Sequence, residues 1–174
     1  VIQDSEGSLT LGDLHIAPTG QLTHSDTGDR GVDLFTQGDV SVEGHIDTTG
    51  RGHEGVGATS MSGGSHAGIG GYSWTSDGAT SASVHGDLLS PMDQGSHGNA
   101  AWGGTPGGGR IHIESLGDIT VTGALLAEGS DAPSEHKAGG SGGSIWLQAK
   151  RLMGAGIVSA KGGNATHYGG GGGG

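Results

Sequence analysis

Three aspartates share one local context, Gly12-Asp13-Leu14, Gly38-Asp39-Val40 and Gly117-Asp118-Ile119. If the segments that carry them stack in register, their carboxylates form a ladder with a spacing of about 4.8 Å. Unit charges that close repel by about 1 kcal/mol even in water, so the ladder asks for a counter-charge. Calcium suits that role because it accepts carboxylate oxygens in loose geometry, which makes Asp13, Asp39 and Asp118 a candidate calcium site and calcium the one candidate cofactor. The competing reading is that Gly-Asp is ordinary turn chemistry, exposed and solvated. A fourth segment places Arg151 where the acid would stand, offsetting charge at the end of the ladder. Neither the EF-hand spacing nor a nonapeptide calcium repeat occurs.

The chain has ten histidines. His53, His66, His85, His97, His136 and His167 stand singly in glycine-rich text, without the i, i+2 or i, i+4 pairs of a dedicated metal site, and read as solvated loop residues. Asn164-Ala165-Thr166 is a glycosylation sequon, which makes Asn164 a candidate modification site. Glycosidic or lyase chemistry needs paired carboxylates on one strand face, whereas the outward positions of the repeat described below carry Thr10, Asp33, His112 and Trp146 with no recurring acid–base pair. The glycine strings are not followed by Gly-Lys-Ser/Thr, so they do not form a phosphate loop. No catalytic residue is assigned, and the expectation is a protein that is not an enzyme.

Composition narrows the class further. Eighteen acidic against seven basic residues give a net charge of −11, the wrong sign for a nucleic-acid or anionic-lipid footprint. Cysteine is absent, and so is the run of about 18 apolar residues that a membrane helix needs. Val1 in place of a start methionine and the closing run of glycines read as a portion of something longer. With 42 glycines and only 30% hydrophobic residues, any core must be thin and elongated.

Four segments read alike and supply such a core: 9–28, 32–50, 111–129 and 145–162. In the third, Ile111 and Ile113 alternate with polar residues, Gly117-Asp118 turns, Ile119 and Val121 alternate, Gly123 breaks the run, and Leu125 and Ala127 resume it before Gly129. The second repeats these spacings from Val32 to Gly50. The fourth has its first corner one residue shorter, and the first is the loosest, ending at His24. Period-two alternation means one buried face per strand, and strands this short need neighbours. The expected fold is therefore all-β, a right-handed parallel β-helix with about three short strands per coil, with corner glycines supplying positive φ or room to turn. An antiparallel sandwich is the structural competitor.

The joins after the third strands differ greatly in length, 51–110 and 130–144 being the long ones, and should gather on one edge. They are expected to be irregular and laid along the flank, with Tyr72, Trp74 and Trp102 as anchors or as platforms for glycans. Ser83-Val84 before Gly86-Asp87-Leu88 echoes a strand and corner, the trace of a degenerate strand pair. Trp146 stands at the outward position equivalent to His112 and Asp33, where an indole needs a cover or a ligand.

The text from Gly107 through Arg110-Ile111-His112-Ile113, then Gly117-Asp118-Ile119, Gly123-Ala124-Leu125-Leu126-Ala127 and Gly139-Gly140-Ser141-Gly142-Gly143-Ser144-Ile145, resembles repeats of large glycine-rich surface proteins with β-helical folds. It is similar to stretches of filamentous bacterial adhesins and of giant extracellular proteins of protists, including those of flagellar hairs. The resemblance covers the four coils. It implies a secreted structural protein that forms or decorates a filament, stalk or cell-surface assembly, with self-association or neighbouring repeats as partners. An adhesin or glycan-binding stalk is the alternative, with surface glycans as the partner, and a β-helix lyase the remote one.

Overall fold

The computed structural model describes residues 1–4, 7–25, 30–53, 62–71, 83–98, 104–135, 137–165 and 173. Each of the four similar segments folds into three short strands. The first gives β1 (Leu9–Leu11), β2 (Leu14–Ile16) and β3 (Gln21–Leu22), and the second β4 (Val32–Thr36), β5 (Val40–Val42) and β6 (His45–Asp47). The third gives β7 (Arg110–Ser115), β8 (Ile119–Val121) and β9 (Ala124–Leu126), and the last β10 (Ser144–Gln148), β11 (Leu152–Met153) and β12 (Ile157–Ser159). No helix occurs among the described residues.

Equivalent strands line up across segments to make three sheets, β1-β4-β7-β10, β2-β5-β8-β11 and β3-β6-β9-β12. Every pairing between these strands is parallel, which removes the antiparallel sandwich. The four segments are thus four layers stacked in chain order. Register puts like on like: Val32 beside Ile111 and Ile145, Val40 beside Ile119 and Leu152, Ile46 beside Leu125 and Val158. The fourth layer reaches β11 by a corner one residue shorter, as its spacing requires.

The first layer departs from the expected alignment. Leu9 and Leu11 pair with Leu34 and Thr36, not with Val32 and Leu34, so Thr10 lies beside Phe35 and outside the column of Asp33, His112 and Trp146. The amide of Gln3 fills in where β1 falls short. Its Nε2 donates to the Asp33 carbonyl at 2.8 Å and its Oε1 accepts from the Asp33 N–H at 3.3 Å, as a neighbouring peptide would.

Inward columns form the core. Val32, Leu34, Val42, Ile46, Ile111, Ile113, Ile119 and Leu125 are fully buried, each worth about 1.5–3 kcal/mol against exposure. All belong to the middle two layers. In the fourth layer Leu152 and Val158 hold the same inward columns yet are 59% and 52% exposed, because no further layer covers them.

The joins are not loose flanking text. Among their described residues 62–66, 94–96, 107–109 and 138–143 are buried, without strands but bound main chain to main chain. Gly64 N–H donates to the Gly139 carbonyl at 3.0 Å, Gly95 N–H to Gly108 at 2.8 Å, and Gly108 N–H to Ser141 at 2.8 Å. Ser83-Val84 and Gly86-Asp87-Leu88 form no strand pair, and Leu88 and Leu89 are exposed. Tyr72, Trp74 and Trp102 lie outside the described residues.

Close approach explains most of the corner glycines, while Gly154, between β11 and β12, has a φ of 109°. Of the corner glycines, Gly38, Gly44, Gly117 and Gly123 have no positive φ. A Cβ on Gly123 would stand 1.9 Å from the Gly44 carbonyl oxygen, and one on Gly142 1.8 Å from that of Ala160. One on Gly38 would meet the movable Asp13 carboxylate at 2.0 Å, while Gly12 has open space. Alanine substitution should therefore rank by what it strikes: Gly12→Ala leaves the thermal midpoint unchanged, Gly38→Ala lowers it modestly, and Gly123→Ala costs about 1–3 kcal/mol or more. Thermal denaturation of the three variants checks the order; equal losses would point to backbone freedom as the cause instead.

Candidate functional site

The stacking does bring Asp13, Asp39 and Asp118 together, at the corner between the first and second sheets. The first two carboxylates cap the main chain of the next layer: the Asp39 N–H donates to Asp13 Oδ1 at 2.8 Å, and the Asp118 N–H to Asp39 Oδ1 at 2.9 Å. The glycine before each acid makes this possible. On Gly117 as on Gly38, a Cβ would fall on the carboxylate of the layer below, 2.2 Å from Asp39 Oδ1. Arg151 closes the ladder, its Nε donating to both Asp118 oxygens at 3.2 and 3.1 Å. That contact holds the Asp118 carboxyl below its ordinary value of 3.8 and raises Arg151 in turn. Among the described residues no group of three or more His, Asp or Glu side chains is arranged to hold a metal. Asp13 and Asp39 each give Oδ1 to a main-chain N–H, and Asp118 gives both oxygens to Arg151.

On the first sheet the column Asp33, His112, Trp146 forms as read. His112 Nδ1–H donates to Asp33 Oδ1 at 3.1 Å, Arg110 Nη2 lies 3.8 Å from Asp33 Oδ2, and the Trp146 ring stacks on the imidazole with centroids 4.8 Å apart. The half-buried indole is thus covered by its own neighbour. Among the described residues His112 Nε2 is buried without a hydrogen-bond partner.

The joins carry a ladder of their own. Ser96 N–H donates to Ser141 Oγ at 2.7 Å, and Ser65 N–H to Ser96 Oγ at 3.0 Å. The hydroxyls return the bond, Ser96 Oγ to the Ser65 carbonyl at 2.7 Å and Ser141 Oγ to the Ser96 carbonyl at 3.2 Å. Buried hydroxyls that serve both a donor and an acceptor cost little to desolvate. The recurring Gly-Ser dipeptides at 64–65, 95–96 and 140–141 are the signal of this ladder in the sequence.

Beside it lies a cluster that the scattered spacing of the histidines conceals. His53, His66 and His85 converge, with His53 and His66 each 5.1 Å from His85 between ring centroids. They are not solvated loop residues: His66 is 5% exposed, and burial, then the charge of His85, pulls its pKa below 6.5. Ser144 Oγ lies 3.5 Å from His66 Nε2 but donates its own proton to the Asp93 carbonyl at 2.7 Å, so the histidine is not placed as its base. His97 instead donates to the Gly52 carbonyl at 3.1 Å. His136 and His167 lie outside the described residues.

Asn164 is exposed, and its Nδ2 and N–H both donate to Asp131 Oδ1, at 3.1 and 2.7 Å. Thr166 of the sequon lies outside the described residues.

No protein-family model, curated protein or solved structure matches the chain.

Two outcomes follow from the aspartate ladder. Asp39→Ala leaves the Asp118 N–H without its acceptor and should cost about 1 kcal/mol, while Asp39→Asn keeps an oxygen there and costs less, as urea denaturation will show. Asp118 lends stability at pH above 3.8 that is lost as pH falls through its lowered value; Arg151→Gln should return its titration to the ordinary range, read by carboxyl NMR.

Proposed function

We propose that this chain is a stretch of right-handed parallel β-helix that serves as a structural element of an extracellular filament, stalk or surface assembly, built by end-to-end stacking of its layers. The observation that carries this reading is the contrast between the middle and end layers. The middle layers bury their inward side chains completely, whereas both ends are open. At the first layer an apolar concavity of about 460 Å³ is lined by Leu9, Leu11, Leu14, Ile16, Leu22 and Leu34. At the fourth, Leu152, Ile157 and Val158 are 59%, 61% and 52% exposed.

Among the described residues no further strand pairs with the outer edges of β1, β2, β10, β11 and β12, edges that are templates for another strand. Beside β3 residues 1–3 already pair, Val1 donating to the Gln21 carbonyl at 2.8 Å and Gln3 N–H to that of Thr23 at 2.8 Å. Charge complements shape. At the same corner the first layer carries Asp13 and the fourth Arg151, with Lys150 beside it, so a head-to-tail stack places opposite signs at the junction. The fitting partner is another set of three-strand layers of this kind, from the same or a neighbouring chain. A heterologous head-to-tail contact does not close and so propagates into fibres.

Electron microscopy and sedimentation test the reading. The protein should form elongated assemblies with an axial layer spacing of about 4.8 Å, and Leu152→Lys with Val158→Lys should weaken association at least about tenfold while the circular dichroism of the monomer is kept. Discrete monomers at high concentration, indifferent to those substitutions, would overturn it.

A further inference from the structure

His53 directly follows the second layer, His66 lies in 62–71 and His85 in 83–98, three stretches far apart in sequence that meet at these rings. His85 Nε2 lies 3.0 Å from the Gln94 carbonyl and 3.3 Å from His53 Nε2. A carbonyl only accepts, so the proton belongs to His85 Nε2 and His53 presents a lone pair to it. We propose that His53, His66 and His85 form an acid-sensitive clasp, which holds 62–71 and 83–98 against the strand layers at neutral pH and releases them on acidification.

The contact between His53 and His85 exists only while His53 is neutral at Nε2; a proton there sets N–H against N–H. A charge on either ring also raises the cost of charging His66, which is buried behind them. Burial and the charges of His85 and His53 hold His66 below the ordinary histidine value of 6.5, against the opposing pull of Asp93 and a bond to the Gly142 main chain. The other charged groups on these elements are Arg51, two residues before His53 in sequence, Arg110, whose Nη1 donates to the Met92 carbonyl at 2.9 Å, and Asp87, which lines the concavity beside His66. His97 keeps its bond to the Gly52 carbonyl in either charge state, since a protonated ring still donates.

The sign is that of a base with a depressed pKa. The released segment binds protons more readily than the docked one, so docking is favoured above the ordinary value and is lost as pH falls below it. What holds the segments otherwise is the serine ladder, main-chain bonds such as His53 N–H to the Gly95 carbonyl at 3.1 Å, and the bonds of Arg110 Nη1 to the Met92 carbonyl at 2.9 Å and of Ser144 Oγ to that of Asp93 at 2.7 Å. The release is therefore a local opening and not unfolding of the strands.

Hydrogen exchange of the whole chain, expressed as protection factors at about pH 7.5 and about pH 5, tests the clasp. The amides of Gly64, Ser65 and Ser96 should lose at least about tenfold protection on acidification, while those of Ile46, Ile113 and Leu125 keep theirs. With His53, His66 and His85 all changed to Gln, the difference between the two pH values should vanish. Unchanged protection, or equal loss in strands and joins, would overturn the proposal. So would a pH response that survives the triple substitution, which would assign it to His24, buried and likewise held below 6.5 by desolvation. Should the triple variant fail to fold, imidazole NMR of the unaltered chain decides: the clasp requires a midpoint below 6.5 for His66 and the Nε2–H form of His85, and either one missing would overturn it.

Discussion

Among the described residues, main-chain N–H and C=O groups of the strands are satisfied by other main chain arriving from the layer above or below, and that requirement sets the rest. A three-strand layer has too few inward side chains to stand alone; the first strand of the second layer closes its bonds against β1 and the Gln3 amide on one side and β7 on the other. The core is consequently one or two side chains deep, and two-thirds of the chain needs no hydrophobic residue. Where strands end and the joins begin, the same requirement persists without the sheet. Peptides then meet at hydrogen-bond distance from several sides, and a Cβ has nowhere to go. The glycines are where backbones touch.

Polar side chains enter this scheme as substitutes for peptides. Gln3 stands in for a missing strand residue against Asp33. Asp13 and Asp39 reach up one layer to the N–H at the next corner. Ser65, Ser96 and Ser141 pass donors and acceptors along a buried row where no strand pairing is possible. In each case a short side chain with the right atoms completes main-chain bonding that geometry leaves open, which is why Gly-Asp and Gly-Ser recur: the glycine makes the gap and the neighbour fills it. A carboxylate used in this way is already engaged, and the ladder discharges its repulsion partly into N–H dipoles and, at the end, into Arg151.

The strands were legible because alternation and corner spacing are local. Ile111, Ile113, Gly117, Ile119 and Val121 announce their layer, and identical spacings from Val32 onward announce the stacking. The slip in the first layer was not legible, since Leu9 and Leu11 satisfy the alternation in either of two registers and only pairing with Leu34 and Thr36 chooses between them. The joins were misread for a related reason. Glycine-rich text lacks the apolar periodicity that marks burial, and a core made of backbone leaves no hydrophobic trace. The Asp13, Asp39 and Asp118 column could be placed from spacing alone, but what its oxygens bind depends on where each carboxylate points. The histidine cluster depends on the return path of 51–110, which nothing local encodes.

The two polar ladders and the open apolar ends pull in different directions. Apolar ends favour growth of the stack, because each added layer buries Leu152 and Val158 as Ile119 and Leu125 are buried now. The described residues of the joins are held by hydroxyls, glycine peptides and Arg110, with Leu88 and Pro91 sharing a concavity with Ile145 of the strands. Hydrophobic burial is indifferent to pH, and imidazoles are not. The proposed elongation therefore rests on apolar faces that acid leaves alone, and the proposed clasp on imidazoles of the flank that titrate, two physically separate parts.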